Sequence, residues 1–211
     1  MQYKVQQMKL EDLYTAFLLG GAKKTTVANK YTVVIQQERL EILHYYLERF
    51  GLRNSFLFEV HEEELSQCVV VEFETTLLVM RIYKEWYYGN MVVAISPMYL
   101  NLNSYLLWIS IFGEKRKSFI RLSNEHISQD AKKTLSTLFT ELTGVELSTN
   151  AMQFAIHDVK LLILLAIRTK RPVYEVKLLT EFLSPREFKK LQGILNESTY
   201  FFHGGMIYEG Y

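Results

Sequence analysis

Hydrophobic and polar residues alternate along this chain in blocks that switch between helical and strand periods. Leu10, Leu13, Tyr14, Phe17 and Leu18 fall at i, i+3, i+4, i+7 and i+8, one apolar stripe of a helix. Gly20-Gly21 ends it, because glycine takes the left-handed conformation of a helix C-terminal cap without steric penalty. Lys23 to Lys30 is polar and predicts a loop or a short irregular strand. Tyr31, Val33 and Ile35 then alternate with Thr32, Val34 and Gln36, the mark of a half-buried strand. Leu40, Leu43, Leu47 and Phe50 predict a helix closed by Gly51. Strands are expected over Ser55 to Val60 and Val69 to Glu74, joined by a polar loop at His61-Glu62-Glu63-Glu64. A helix from Leu77 to about Tyr88 follows, capped by Thr75 or Thr76 and stopped at Gly89-Asn90.

The order then begins again. Pro97 leads into a very apolar helix, Leu100 to Phe112, expected to be buried on most sides. Gly113 ends it and Lys115, Arg116 and Lys117 form a second basic loop. A strand is expected over Phe119 to Asn124. Ser128 caps a helix with Leu135, Leu138, Phe139 and Leu142 on one face, closed by Gly144. Val145 to Leu147 and Met152 to Ile156 predict a hairpin around Thr149-Asn150, and Asp158 starts a helix over Val159 to Thr169. Gly51 lies 31 residues after Gly20, and Gly144 lies 31 residues after Gly113. The copies themselves are offset by 93 residues, Gly20 to Gly113 and Gly51 to Gly144, and a period so far beyond ~20–50 residues predicts one folded unit with pseudo-two-fold symmetry and not a solenoid.

The tail is additional. Val173 to Leu183 reads as a short helix after Pro172. Ser184-Pro185-Arg186-Glu187 combines a capping serine, proline at the first helical position and a carboxylate three residues on, a strong start signal for a helix to about Asn196. The aromatic stretch from Tyr200 to Tyr211 is expected to pack back on the body, with Gly204-Gly205 as a turn.

Composition changes this picture little. The 211 residues are 49% hydrophobic and 22% charged, an ordinary globular balance. The longest apolar run, Leu161 to Ile167, is too short for a bilayer, which takes ~20 residues. The polar N-terminus lacks the apolar segment of a signal peptide. The one cysteine, Cys68, is expected to be a buried small hydrophobe. An intracellular protein is expected. Net charge is +1, not the balance of a strong nucleic-acid binder. It is unevenly spread: residues 1–96 carry 10 basic and 12 acidic side chains, residues 97–211 carry 14 and 11. The histidines show no metal-ligand spacing with each other or with Cys68, and no nucleophile elbow or phosphate-binding glycine loop is present.

Several segments carry a resemblance beyond this order of elements. Phe17-Leu18-Leu19-Gly20-Gly21 and Trp108-Ile109-Ser110-Ile111-Phe112-Gly113 resemble the two signature helices of the LAGLIDADG homing endonuclease family in its single-chain, two-repeat form. Lys84 to Val93, with Trp86-Tyr87-Tyr88-Gly89, resembles the family's joint between repeats, and Arg121-Leu122-Ser123-Asn124 the strand after the second signature helix. The resemblance covers about Leu10 to Thr169. It implies an α+β fold of two pseudo-symmetric αββαββα repeats, residues 1–96 and 97–170, with a C-terminal helical extension over 171–211.

In that family each signature helix delivers one acid at its C-terminal end, and the pair binds divalent metals for two-metal phosphodiester chemistry. This sequence departs there. Gly21 stands at the first acidic position and Phe112 at the second, and neither offers an oxygen to a hard cation. The nearest carboxylate is Glu114, just past the second position; Asp12 lies about two turns upstream on the first helix. The resemblance therefore implies a catalytically inactive, metal-free and cofactor-free monomer that acts by binding. DNA is the favoured partner over RNA, and a protein partner is the rival; an active metal-dependent endonuclease is a further alternative. The family's sheets lie in the major groove, so contacts are expected from Lys23, Lys24, Lys30, Thr32, Gln36, Lys115, Arg116, Lys117 and Arg121. Glu59, Glu72 and Glu146 fall on the same faces and oppose phosphate.

Overall fold

A computed structural model describes residues 2–26, 29–54, 56, 58–62, 67–74, 76–116, 119–169, 176, 179–195, 200–203 and 206–209. The first half runs α1 (Gln2–Leu19), β1 (Lys23–Lys24), β2 (Lys30–Gln36), α2 (Leu40–Arg49), β3 (Phe58–Glu62), β4 (Cys68–Glu74) and α3 (Leu77–Trp86). A joint of β5 (Tyr87–Tyr88) and β6 (Met91–Val92) leads to α4 (Leu102–Phe112), β7 (Glu114–Lys115), β8 (Ile120–Ser123), α5 (Gln129–Thr143), β9 (Leu147–Thr149), β10 (Gln153–Ile156) and α6 (Val159–Arg168). Then come α7 (Pro185–Leu195), β11 (Tyr200–His203) and β12 (Met206–Glu209). The two four-stranded sheets are ordered β1-β2-β4-β3 and β7-β8-β10-β9. The chain thus traces the same αββαββα path twice.

Helices α1 and α4 pack against each other at the centre. Every residue from Ser104 to Ile111 is buried, as the nearly continuous apolar run requires. Leu13, Phe17, Leu18, Trp108 and Ile109 are fully buried, each contributing about 1.5–3 kcal/mol over the exposed state. The pair is registered at the far end by a polar clasp. Asn101 caps α4 by accepting from the Ser104 amide at 3.1 Å, and its Nδ2 donates to Asp12 Oδ1 at 2.7 Å. Burial pushes the Asp12 carboxyl above its usual range, against the pull of the Asn101 bond and of Lys9 at 3.6 Å. Asp12 therefore ties the two helices together at the N-terminal end of α4.

Each sheet lays one face on this pair. Tyr31, Val33 and Ile35 of β2 and Val69, Val71 and Phe73 of β4 are buried, as are Ile120 and Leu122 of β8 and Phe154 and Ile156 of β10. Caps agree with the sequence. Thr76, Ser128 and Asp158 accept from the amides of Val79, Ala131 and Leu161. Gly51 and Gly144 carry positive φ, 64° and 70°.

Five local expectations are corrected. Lys115 belongs to β7 and not to a loop, because it pairs with Ile120. His61 and Glu62 belong to β3, not to a loop, because they pair with Val70 and Val69. Helix α3 stops at Trp86, since Tyr87 and Tyr88 pair with Val92 and Met91 across Gly89 at φ 61°. Strand β9 runs later than expected, over Leu147–Thr149. Cys68 is only half-buried: β4 buries Val69, Val71 and Phe73, so the alternation turns Cys68 to the other face, opposite Gln36.

The tail packs on the body. Val176, Leu179, Phe182 and Leu183 are buried. Arg39 of the first half lies 3.5 Å from Glu181 and stacks over Phe182, while Lys115 of the second half donates to the Glu181 and Leu183 carbonyls at 2.6 and 2.7 Å. Ser184 and Glu187 form the expected reciprocal cap of α7. The backbone of β11 lies against α7 and pairs with β12. The expectations at Ser55, Leu57, Thr75, Lys117, Pro172 and Gly204-Gly205 lie outside the described residues. Among the described residues no helix is long and apolar enough to cross a membrane.

Candidate functional site

The C-terminal ends of α1 and α4 meet between the two sheets, and they end differently. Helix α1 closes with a glycine cap. Gly21, at φ 90°, donates to Leu18 O at 3.1 Å and Ala22 donates to Phe17 O at 3.0 Å, the paired bonds of a Schellman motif. Helix α4 passes directly into β7 through Gly113, which donates to Ile109 O at 2.8 Å. Gly21 and Phe112 thus occupy equivalent places, one residue ahead of the link into the first strand of each sheet.

Both places are filled by the chain's own side chains. The Phe112 ring lies on Gly20: a Cβ there would sit 2.5 Å from both Cε carbons and nearer still to Cζ. The ring also meets Phe17 edge-on, at 6.1 Å between centroids. A Cβ on Gly21 would lie 3.1 Å from His126 Nδ1. His126 Nε2 is 2.9 Å from Leu19 O; a carbonyl only accepts, so Nε2 carries the proton. Burial holds the His126 imidazole below its ordinary pKa, favouring this neutral form. The segment bearing His126 is pinned by the joint: Val92 donates to His126 O and Ser128 donates to Val92 O, each at 2.8 Å. The Tyr87 hydroxyl donates to Leu18 O. The terminal carbonyls of α1 are thereby taken up by groups that a helix-period reading of the sequence does not bring near. His126 and Tyr87 were missed for that reason.

The nearest carboxylate, Glu114, is held by two guanidinium groups, Arg116 at 2.6 Å and Arg121 at 3.5 Å. It borders a cleft of about 170 Å³ over the helix ends, where Val34 and Gln36 of the first sheet approach Ser123 of the second beside Phe112.

Register places the predicted contact residues on definite faces. In the first sheet Lys23, Thr32, Glu72 and Glu59 form one row across all four strands. In the second the corresponding row is Glu114, Arg121, Ala155 and Ser148. The next rows are Val34, Val70 and His61 in the first, Ser123 and Gln153 in the second. Lys30, Thr32 and Gln36 lie on the outer face of β2, and Lys30 pairs with Glu72. Lys24 and Lys115 do not join these rows. They pair with the buried Tyr31 and Ile120, so by alternation they belong to the opposite faces, and the Lys115 ammonium is tied to the tail carbonyls. Arg116 follows Glu114 onto the outer side. The first face is therefore acidic and apolar, with Val34 54% exposed. The second presents Arg121, Ser123, Gln153 and Ser148, an array of hydrogen-bonding groups. Glu146 is exposed just ahead of β9.

No protein-family model matches the sequence, and no curated protein matches it. Among solved structures the chain is similar to the homing endonuclease I-WcaI bound to its DNA recognition sequence, with 11% identity, 87% of this chain and 86% of that one covered, and a TM-score of 0.50. It is similar to full-length DUF199/WhiA from Thermatoga maritima, with 9% identity, 92% and 66% covered and a TM-score of 0.52. The N-terminal LAGLIDADG domain of DUF199/WhiA gives 6% identity, 90% and 96% covered and a TM-score of 0.50. At these identities the likeness is one of fold, and the fold is LAGLIDADG-like.

Proposed function

We propose that this chain is a monomeric protein that binds duplex DNA without cutting it, and that its second sheet carries most of the contact. One observation supports the loss of cutting above all: Phe112 and His126 occupy the helix ends where paired carboxylates would have to hold metal ions about 3.5–4 Å apart. Glycine and phenylalanine supply no ligand oxygen, and Glu114 is already neutralised by Arg116 and Arg121. Support for DNA comes from the fold it has in common with I-WcaI, solved on its DNA recognition sequence, and from the polar outer face of the second sheet. Arg121, Ser123 and Gln153 can donate and accept at base edges, as the major groove requires. The first sheet contributes less, because Glu59 and Glu72 repel phosphate.

The acidic first face favours one second reading, a protein-interaction module that docks a basic partner on Glu59, Glu72 and Glu74. A salt series distinguishes the two. Wild-type chain on duplex DNA, structured RNA and an unrelated polyanion is expected to favour the duplex, with affinity falling linearly in log[salt] by about 0.9 per phosphate neutralised. Plasmid should remain intact with Mg²⁺ or Mn²⁺. Absence of retention on any nucleic acid at low salt would replace DNA with a protein partner, and metal-dependent nicking lost in Glu114→Gln would restore an active nuclease.

A further inference from the structure

We propose that Glu59, His61 and Glu72 bind one Zn²⁺-class divalent cation on the outer face of the first sheet, away from the helix ends. The strand period builds the site. Glu59 and His61 are two residues apart on β3 and so share a face, and Glu72 stands directly opposite Glu59 on β4. One ligand atom from each of the three lies within 4.8 Å of the others. Bonds of about 2.0–2.2 Å at tetrahedral angles put two ligands of one zinc ion about 3.3–3.6 Å apart. Closing from 4.8 Å takes at most about 1.5 Å, within rotation of the exposed Glu59 and His61 side chains.

Charge favours occupancy. Like charges directly opposite on antiparallel strands destabilise the pair, and Glu59 faces Glu72 in just that way. Lys30 answers only in part. Its ammonium bonds one oxygen of Glu72, in a recess of about 260 Å³ that Glu59, Glu72 and Glu74 also line. A carboxylate has a second oxygen to give. The imidazole selects the metal: Mg²⁺ and Ca²⁺ take oxygen ligands, whereas nitrogen with carboxylate suits zinc. Three protein ligands leave one position of a tetrahedron to water. This site does not rest on DNA binding.

The test is a calorimetric titration of ZnCl₂ into the metal-stripped full chain, with thermal unfolding alongside. One equivalent is expected to bind and to raise Tm, since a ligand of the folded state stabilises it. His61→Ala and Glu72→Gln should each weaken binding by about tenfold or more by removing a ligand, and Glu74→Gln should leave it unchanged. Without metal, Glu59→Gln should unfold at a higher temperature than wild type, because the like-charge pair is gone. With saturating Zn²⁺ that order should reverse. No saturable binding, undiminished binding by His61→Ala, or an order that does not reverse would each overturn the site.

Discussion

The contact between Phe112 and Gly20 makes a quantitative demand. Gly20 has no positive φ, and its amide donates to Ala16 O at 2.9 Å, so the backbone accepts alanine. Replacing glycine at a compatible position stabilises by about 0.4–1 kcal/mol through the unfolded chain. Here the new methyl would lie 2.5 Å from two Phe112 ring carbons, where contact belongs at about 3.5–4.0 Å. The ring must move roughly 1 Å, away from its edge contact with Phe17, and such overpacking costs about 1–3 kcal/mol. Gly20→Ala should therefore destabilise by about 1 kcal/mol, and by at most about 2.6 kcal/mol, in the wild-type background. In a Phe112→Ala background the overlap is absent and the same change should stabilise by about 0.4–1 kcal/mol. The two substitutions should couple by about 1–3 kcal/mol. Urea unfolding of the four proteins measures this, provided the m-value is constant across them. Additivity within about 0.5 kcal/mol would refute the placement of the ring, and with it the physical basis for an obstructed helix end.

Two further predictions follow from the same geometry. His126 is held below the ordinary imidazole value of 6.5 by burial, so on acidification the unfolded chain takes up its proton first; stability should fall as pH drops below about 6.5 and level off once the folded state is protonated too. His126→Gln, which can still donate to Leu19 O, should flatten urea-measured stability between pH 7.5 and 5.5, and an unchanged slope would exclude His126 as the source. On duplex DNA, Lys23→Ala and Arg116→Ala should each reduce the salt slope by about one, whereas Lys115→Ala should leave it unchanged and speed hydrogen exchange around Glu181–Leu183. The opposite ranking would show that register does not decide which cations reach the groove.

Much of the architecture was legible from local signals. The stripe from Leu10 to Leu18, the alternation from Tyr31 to Gln36, the caps at Thr76, Ser128, Asp158 and Ser184, and the glycines at 51 and 144 are encoded within a few residues of where they act. The doubled order of these signals was enough for the fold class, and Gly21 and Phe112 stand where the resemblance leads one to expect acids. Pairing across strands was not legible. A one-residue change of parity reverses a face, and nothing local to Lys24 or Lys115 says that they pair with Tyr31 and Ile120. The length of β3 was likewise set by its partner: His61 reads as loop beside three glutamates, yet Val70 opposite draws it into the sheet and beside Glu72. Tertiary structure alone brought Phe112 onto Gly20 and His126 onto the end of α1, contacts spanning 92 and 107 residues of chain. The sequence by itself determined which elements form and that the helix ends lack acids. Only the packing of α1 against α4 and against the segment bearing His126 decided what fills that space, because close contact between distant segments depends on shape and not on local periodicity.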